Sequence, residues 1–181
     1  MSNVKNQKLE LRVLGADDYP DVVQVYRQSP RFLVELNGRP AESVGLEMVE
    51  EDAAQAANHG AQLVGFFLRE SGEMIGVADF VPSGYRSRPS LAWIALLMIA
   101  EPYQRQGYAT EAYQLIEDEL LANPDVRTIG LGILINNGPG IAFWQRMGYR
   151  RSGSTLQDKD GREILMLEKH RPGEGENDGG E

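Results

Sequence analysis

No cysteine occurs in the 181 residues, so the chain offers no disulfide framework, no thiolate zinc site and no cysteine nucleophile. Histidine is scarce as well. His59 and His170 are the only two, too few for a histidine-rich site, and no metal is expected. No apolar run approaches the roughly 18 residues that cross a membrane, and the first residues, Met1 to Lys8, lack the apolar segment of a signal peptide. A cytoplasmic protein with no membrane partner is the expectation. Positive charge is in short supply too: 18 Lys and Arg stand against 27 Asp and Glu, net −9. That balance argues against nucleic acid as a partner, which would need a basic surface. Four acids and one Arg between Arg171 and Glu181 account for −3, leaving −6 on the body, which favours a cationic partner such as an amine. Catalysis must then use carboxylates, hydroxyls, backbone amides or a bound cofactor.

What the chain does have is enough apolar material, 41% of its residues, for one core and one domain. That domain is read as residues 1–170. Beyond Arg171 the composition is Pro, Gly, Glu, Asn and Asp with no large apolar residue, so residues 171–181 are expected to form a disordered acidic tail.

Alternation over Leu9–Leu14 predicts a strand, and Asp17, Asp18 and Pro20 predict the start of a short helix with Val22, Val23 and Tyr26 inside. Ser29 to Pro40, with two prolines and Asn37-Gly38, is expected to be a loop of little regular structure. A second helix is expected from about Ala41 to Ala57. Gln62–Arg69 and Met74–Val81 read as an antiparallel hairpin around Ser71-Gly72. In the second strand Ile75, Val77, Asp79 and Val81 share one face by the two-residue period, and the carboxylate of Asp79 is out of place there. Leu91–Ile99 is an unbroken apolar strand. After a turn, helical spacing runs through Leu121 until Asn123-Pro124 stops it. Val126–Ile135 is another buried strand, Ile141–Met147 a short helix, and Tyr149–Ser154 with Glu163–Glu168 the last two strands. The order β-α-α-β-β-β-α-β-α-β-β is mixed α/β, with a largely antiparallel central sheet flanked by helices.

Two motifs stand out. Gln104-x-x-Gly107-x-Ala109 follows the buried strand and opens a helix, whose first turn presents unpaired N–H groups and the positive end of the helix dipole. Small residues there let an anion such as a phosphate approach the backbone. The second is Asn137-x-x-Gly140-x-x-x-Trp144-x-x-x-Gly148-Tyr149. Helix-start packing explains the first without a ligand, and a turn or helix cap explains Asn137.

Together, in this order and spacing, the motifs resemble the signatures of the GCN5-related N-acetyltransferase (GNAT) family, whose members move an acetyl group from acetyl-CoA to an amine. The resemblance spans about Leu9 to Lys169 and is specific from Ile94 to Tyr149. It implies a GNAT-like acyl-CoA N-acyltransferase fold and acetyl-CoA as co-substrate. It implies also that the loop Gln104, Arg105, Gln106, Gly107, Tyr108 and Ala109, with Thr110, holds the pyrophosphate through backbone N–H groups. The main chain of Met98 and Ile99 would meet the pantetheine arm, joined by Asn137 and Trp144. Such folds commonly complete a site as homodimers.

The sequence departs from the family pattern where many members carry a tyrosine that protonates the departing sulfur: Trp144 stands there, and an indole N–H donates a hydrogen bond but is no acid near neutral pH. Tyr113 and Tyr149 are the alternative acids, each also explained by core packing. No ionisable residue lies on Leu91–Ile99, so Asp79 is the candidate base, acting through water, or the anchor for the substrate ammonium. Pairing with Arg86 or Arg88 would instead make it structural. Backbone N–H near Leu97 or Met98 would polarise the carbonyl. Glu101 is read as capping its own turn, and Tyr85 as an acceptor-side contact. The expected activity is direct acetyl transfer to a primary amine of a small molecule or peptide; the rival is a catalytically impaired acyl-CoA-binding or regulatory module.

Overall fold

The structure, a computed structural model, describes residues 7–38 and 40–173; the expected tail from Glu174 onward lies outside them. The chain divides into two compact units, one drawn from Met1–Phe80 and Leu96–Glu117, the other from Val81–Ala95 and Asp118–Glu181. Strand β4 (Leu91–Ile99) and helix α4 (Tyr108–Ala122) each contribute to both.

In the first unit β1 (Leu9–Val13), β2 (Gln62–Leu68) and β3 (Met74–Val81) form an antiparallel meander. Its register runs from Leu9↔Leu68 to Val13↔Val64 and from Gln62↔Phe80 to Phe67↔Met74, with an irregularity at Phe66/Phe67. Three helices belong with it: α1 (Tyr19–Arg27), α2 (Pro30–Asn37) and α3 (Leu46–Asn58). Val22, Val23, Val25 and Tyr26 of α1 pack with Leu33 of α2, Met48 and Val49 of α3, Phe67 of β2 and Val77 of β3. Each fully buried side chain of this size contributes about 1.5–3 kcal/mol relative to exposure, so this apolar contact fixes the helices against one strand face.

Two expectations need correcting here. Ser29–Pro40 is mostly the helix α2: Pro30 occupies the first turn, where its missing N–H costs nothing, and Gly38 ends the helix at φ +65°. The punctuation that reads as a loop brackets a helix instead. The next helix starts at Leu46, later than expected, because Ala41–Ser43 form a short 3-10 turn whose following residues are extended. The Arg27 guanidinium donates through Nε and one Nη to the Val44 carbonyl at 3.1 and 2.8 Å and pins that connection.

The end of β4 lies close to β3. The Ala100 amide donates to the Ile75 carbonyl at 2.9 Å, and a Cβ on Gly76 would stand 2.6 Å from both the Met98 carbonyl oxygen and Ile99 Cδ1. Backbone cannot yield as a side-chain tip does. Gly76→Ala is therefore expected to cost about 1–3 kcal/mol, read as a lower urea midpoint with unchanged slope; an unchanged midpoint would contradict this close approach.

In the second unit β5 (Thr128–Leu134) pairs in parallel with the start of β4, Leu91↔Thr128 through Ile94↔Leu131, and antiparallel with β8 (Glu163–His170). β8 also carries the two-residue strands β6 (Arg150–Arg151) and β7 (Leu156–Gln157). Helix α5 (Gly138–Arg146) begins three residues earlier than expected, with Pro139 in its first turn. Arg171, the first residue of the expected tail, is instead tied to the fold: its guanidinium donates to the carbonyls of Val126, Leu121 and Asn123 at 2.8, 3.1 and 2.7 Å. It thereby satisfies carbonyls at the end of α4 that no intrahelical donor reaches. Among the described residues no helix is long and apolar enough to cross a membrane.

Candidate functional site

After Ile99 the chain makes a 3-10 turn at Glu101–Tyr103, passes through Gln104–Gly107 and enters α4 at Tyr108. Two glutamines hold this turn from within. Gln104 Nε2 donates to the Ile99 carbonyl at 2.7 Å, and Gln106 Nε2 to the Pro102 carbonyl at 3.0 Å. Arg105 and Gly107 both have positive φ, +63° and +89°. A residue with a Cβ is disfavoured at such angles by about 1–2 kcal/mol, so Arg105 is held there by the surrounding turn. Alternation of left-handed and ordinary residues turns successive N–H groups toward one side, a concavity suited to anions. Gln104 to Gly107 are exposed, and a Cβ built on Gly107 meets nothing within 4 Å. Beyond them the first N–H groups of α4, a helix of 15 residues, add the positive end of its dipole. Thus Gln104, Arg105, Gln106, Gly107, Tyr108, Ala109 and Thr110 form one continuous turn and helix start, as the motif predicts, with Met98 and Ile99 at the strand end before it.

Glu101 does not cap its own turn. Its Oε1 accepts the Arg31 amide at 3.2 Å, and its own amide donates to the Gln28 carbonyl at 2.9 Å. A carboxylate at the first turn of α2 complements that helix's dipole, so Glu101 fastens the strand end to the α1–α2 junction.

The same unit holds a second cluster. Asp79 stands on β3 opposite Leu63, on the face where Val77 packs against α1 and α3. Its Oδ1 is buried with no hydrogen-bond partner. Burial, then the charge of Asp52, push the Asp79 carboxyl up to about 6, while His59 pulls it down. Asp52 lies on the inward stripe of α3 with Met48, Val49 and Ala56, and its Oδ2 accepts the Tyr26 hydroxyl at 3.3 Å. Burial, with Asp52 and Asp79 nearby, raises the Tyr26 phenol above its ordinary range. The sequence reading missed Tyr26 and Asp52 as polar groups of this cluster. The available signal was the same as for Asp79: a carboxylate interrupting an apolar periodic face.

Tyr113, the first alternative acid, is 1% exposed and donates its hydroxyl to Glu117 at 2.8 Å. Its single proton is therefore engaged within α4. The remaining candidates lie in the second unit. Asn137 is the N-cap of α5, its Oδ1 accepting the Gly140 amide at 2.9 Å, so the capping explanation accounts for one face of its amide. Trp144 is buried at 8% and meets Tyr149 edge to face, ring centres 5.1 Å apart. Tyr149 itself is 2% exposed. Tyr85 stacks on Trp93 with centres 4.4 Å apart and planes 11° from parallel. The loop that presents Tyr85 is strained, with Arg86 and Ser87 at φ +51° and +60°. Arg88 pairs with Glu168 at 3.5 Å, and Arg86 lies 5.5 Å from the Tyr85 ring centre. Among the described residues no three His, Asp or Glu side chains gather as metal ligands.

The sequence pattern described as the acetyltransferase (GNAT) family matches residues 25–149. No curated protein matches the chain in sequence. Among solved structures, an acetyltransferase from Thermus thermophilus is 22% identical, covering 91% of this chain and 97% of its own, with a TM-score of 0.73. The aminoglycoside acetyltransferase AAC(6')-Ib in complex with coenzyme A is 20% identical, covering 90% and 95%, with a TM-score of 0.72. A Vibrio cholerae spermidine N-acetyltransferase in complex with CoA and spermine is 13% identical, covering 91% and 96%, with a TM-score of 0.69. At these identities the likeness establishes the fold.

Proposed function

The chain belongs to the acetyltransferase (GNAT) family and is an acetyl-CoA-dependent N-acetyltransferase, and on that premise we propose that its acceptor is a primary amine of a small molecule, received at Asp79. The observation that carries the reading is the buried Asp79 Oδ1, which lacks a partner on an otherwise apolar strand face. A carboxylate so placed is costly unless an ammonium or a proton completes it.

The turn from Gln104 to Thr110 fits the pyrophosphate: its preset left-handed residues and the open space above Gly107 leave room for phosphate oxygens against backbone N–H groups. Met98 and Ile99 would offer main chain to the pantetheine arm. When bound, acetyl-CoA supplies an activated acyl group on a thiol leaving group of pKa about 8.5.

This chain's residues have two tasks. An alkyl ammonium titrates near ~10 and must lose a proton to attack. Asp79 accepts that proton directly or through a water, since a carboxyl raised to about 6 is a better base than an ordinary one and is still mostly ionised at neutral pH. Protonation of the leaving sulfur has no equivalent side chain at Trp144, and the Tyr113 proton is held by Glu117. Departure as thiolate followed by protonation from solvent suits this arrangement, with Tyr149 as the remaining phenol.

The test is thiol release from acetyl-CoA against a panel of primary amines and matched alcohols, with the product identified by mass. Release driven by amines and an acetamide product are expected. Release driven only by alcohols, or by no acceptor, would overturn the assignment.

A further inference from the structure

Asp79, two residues from Val77 on the same face of β3, and Asp52, on the inward stripe of α3, are two carboxyl groups on elements of one core with unlike surroundings. Asp52 receives a hydroxyl hydrogen bond from Tyr26 at 3.3 Å, which favours its ionised form. Asp79 has a buried oxygen with no donor, which disfavours its own. Two elements fix this asymmetry. Tyr26 is 4% exposed in the core that joins α1, α3 and β3, and Asp52 lies one turn beyond Val49 on the stripe of α3 that faces this core.

We propose that Asp52, held by the Tyr26 hydroxyl, is a positioning residue for Asp79: it keeps the negative charge of the pair, so that Asp79 is the member that binds and releases the proton. This rests on the assignment of Asp79 to the acceptor amine. Pairs of carboxyls whose environments push their proton affinities apart divide acid and base roles in this way. The like charge of Asp52 opposes ionisation of Asp79, and His59, at the C-terminal end of the same helix, acts in the opposite sense. The charged and titratable groups that act on Asp79 or feel its charge are thus Asp52 on α3, His59 at the end of α3 and Tyr26 on α1. An incoming ammonium relieves the repulsion that Asp52 imposes, so the pair favours a cationic acceptor over a neutral one.

The experiment is a carbon NMR titration of the Asp79 carboxyl in full-length protein labelled at aspartate, in wild type, Asp52→Asn and Tyr26→Phe. No acceptor is needed. Asp52→Asn is expected to move the Asp79 midpoint down from about 6 by at least about half a pH unit, and Tyr26→Phe to move it less, in the same direction. The acid limb of kcat/KM, measured with any amine active in the panel, should shift with the Asp52→Asn midpoint. An Asp79 midpoint unchanged in Asp52→Asn overturns the proposal. If that variant does not fold, an unchanged midpoint in Tyr26→Phe does so. Loss of the assignment itself reads differently: Asp79→Asn would then keep wild-type turnover, whatever Asp52→Asn does.

Discussion

Asp79→Asn should gain stability and lose turnover in the same variant. The folded carboxyl is raised to about 6 from an ordinary value of 3.8, chiefly by burial. Between those two values the native state binds more protons than the unfolded chain, so stability falls as pH rises and levels off above about 6. Asp79 is only half-buried, and solvent screening reduces the cost, so a shift of this size corresponds to at most about 3 kcal/mol of destabilisation at neutral pH. Asparagine carries no charge to desolvate and escapes most of that cost, although its amide also enters a site with few partners. A gain of about 1–3 kcal/mol, seen as a rise of several degrees in Tm, is expected at neutral pH and should vanish below about pH 4. Loss of the base should lower kcat about 100-fold or more, with the affinity for acetyl-CoA nearly unchanged. A structural carboxylate would behave in the reverse way: stability would fall and activity would change only in proportion to the folded fraction.

Gly107→Glu should abolish acetyl-CoA binding. The residue has φ +89°, so any side chain strains the backbone by about 1–2 kcal/mol. The new Cβ would enter the open space that the turn surrounds, and a carboxylate there repels phosphate oxygens. Together these should weaken the Kd for acetyl-CoA at least about 100-fold. Gly107→Ala separates the contributions, because it keeps the strain and part of the steric block but adds no charge. Its loss should be intermediate. Unchanged affinity in Gly107→Glu would show that the phosphates bind elsewhere.

Most of this turn could be read from the residues. An apolar strand, a break at Glu101-Pro102 and a small-residue helix start leave little choice of backbone. The fold class was legible for similar reasons, since β2, β3, β4 and β5 are apolar runs bounded by turn residues. What escaped depended on contacts distant in sequence. Helix α2 was missed because Pro30 and Gly38 serve as its start and stop, and because Glu101, about seventy residues on, supplies the carboxylate at its first turn. Asp52 was missed because a carboxylate on an amphipathic helix usually faces water, although its helical spacing from Met48, Val49 and Ala56 sets it on the stripe that those residues bury. The sequence marks Asn137 together with the cap that engages it, and marks Tyr113, but not the hydrogen bond to Glu117 that already holds the Tyr113 proton. Asp79 was legible because a period of two leaves no doubt about which face a strand residue shares.

The most direct measurement is calorimetric titration of the wild-type protein with acetyl-CoA, followed on the same sample by thiol release on adding a primary amine. Saturable one-site binding at micromolar concentration, with release beginning only when the amine is added, is the predicted result. Absence of binding, or binding with no release for any amine across the panel, would contradict the account.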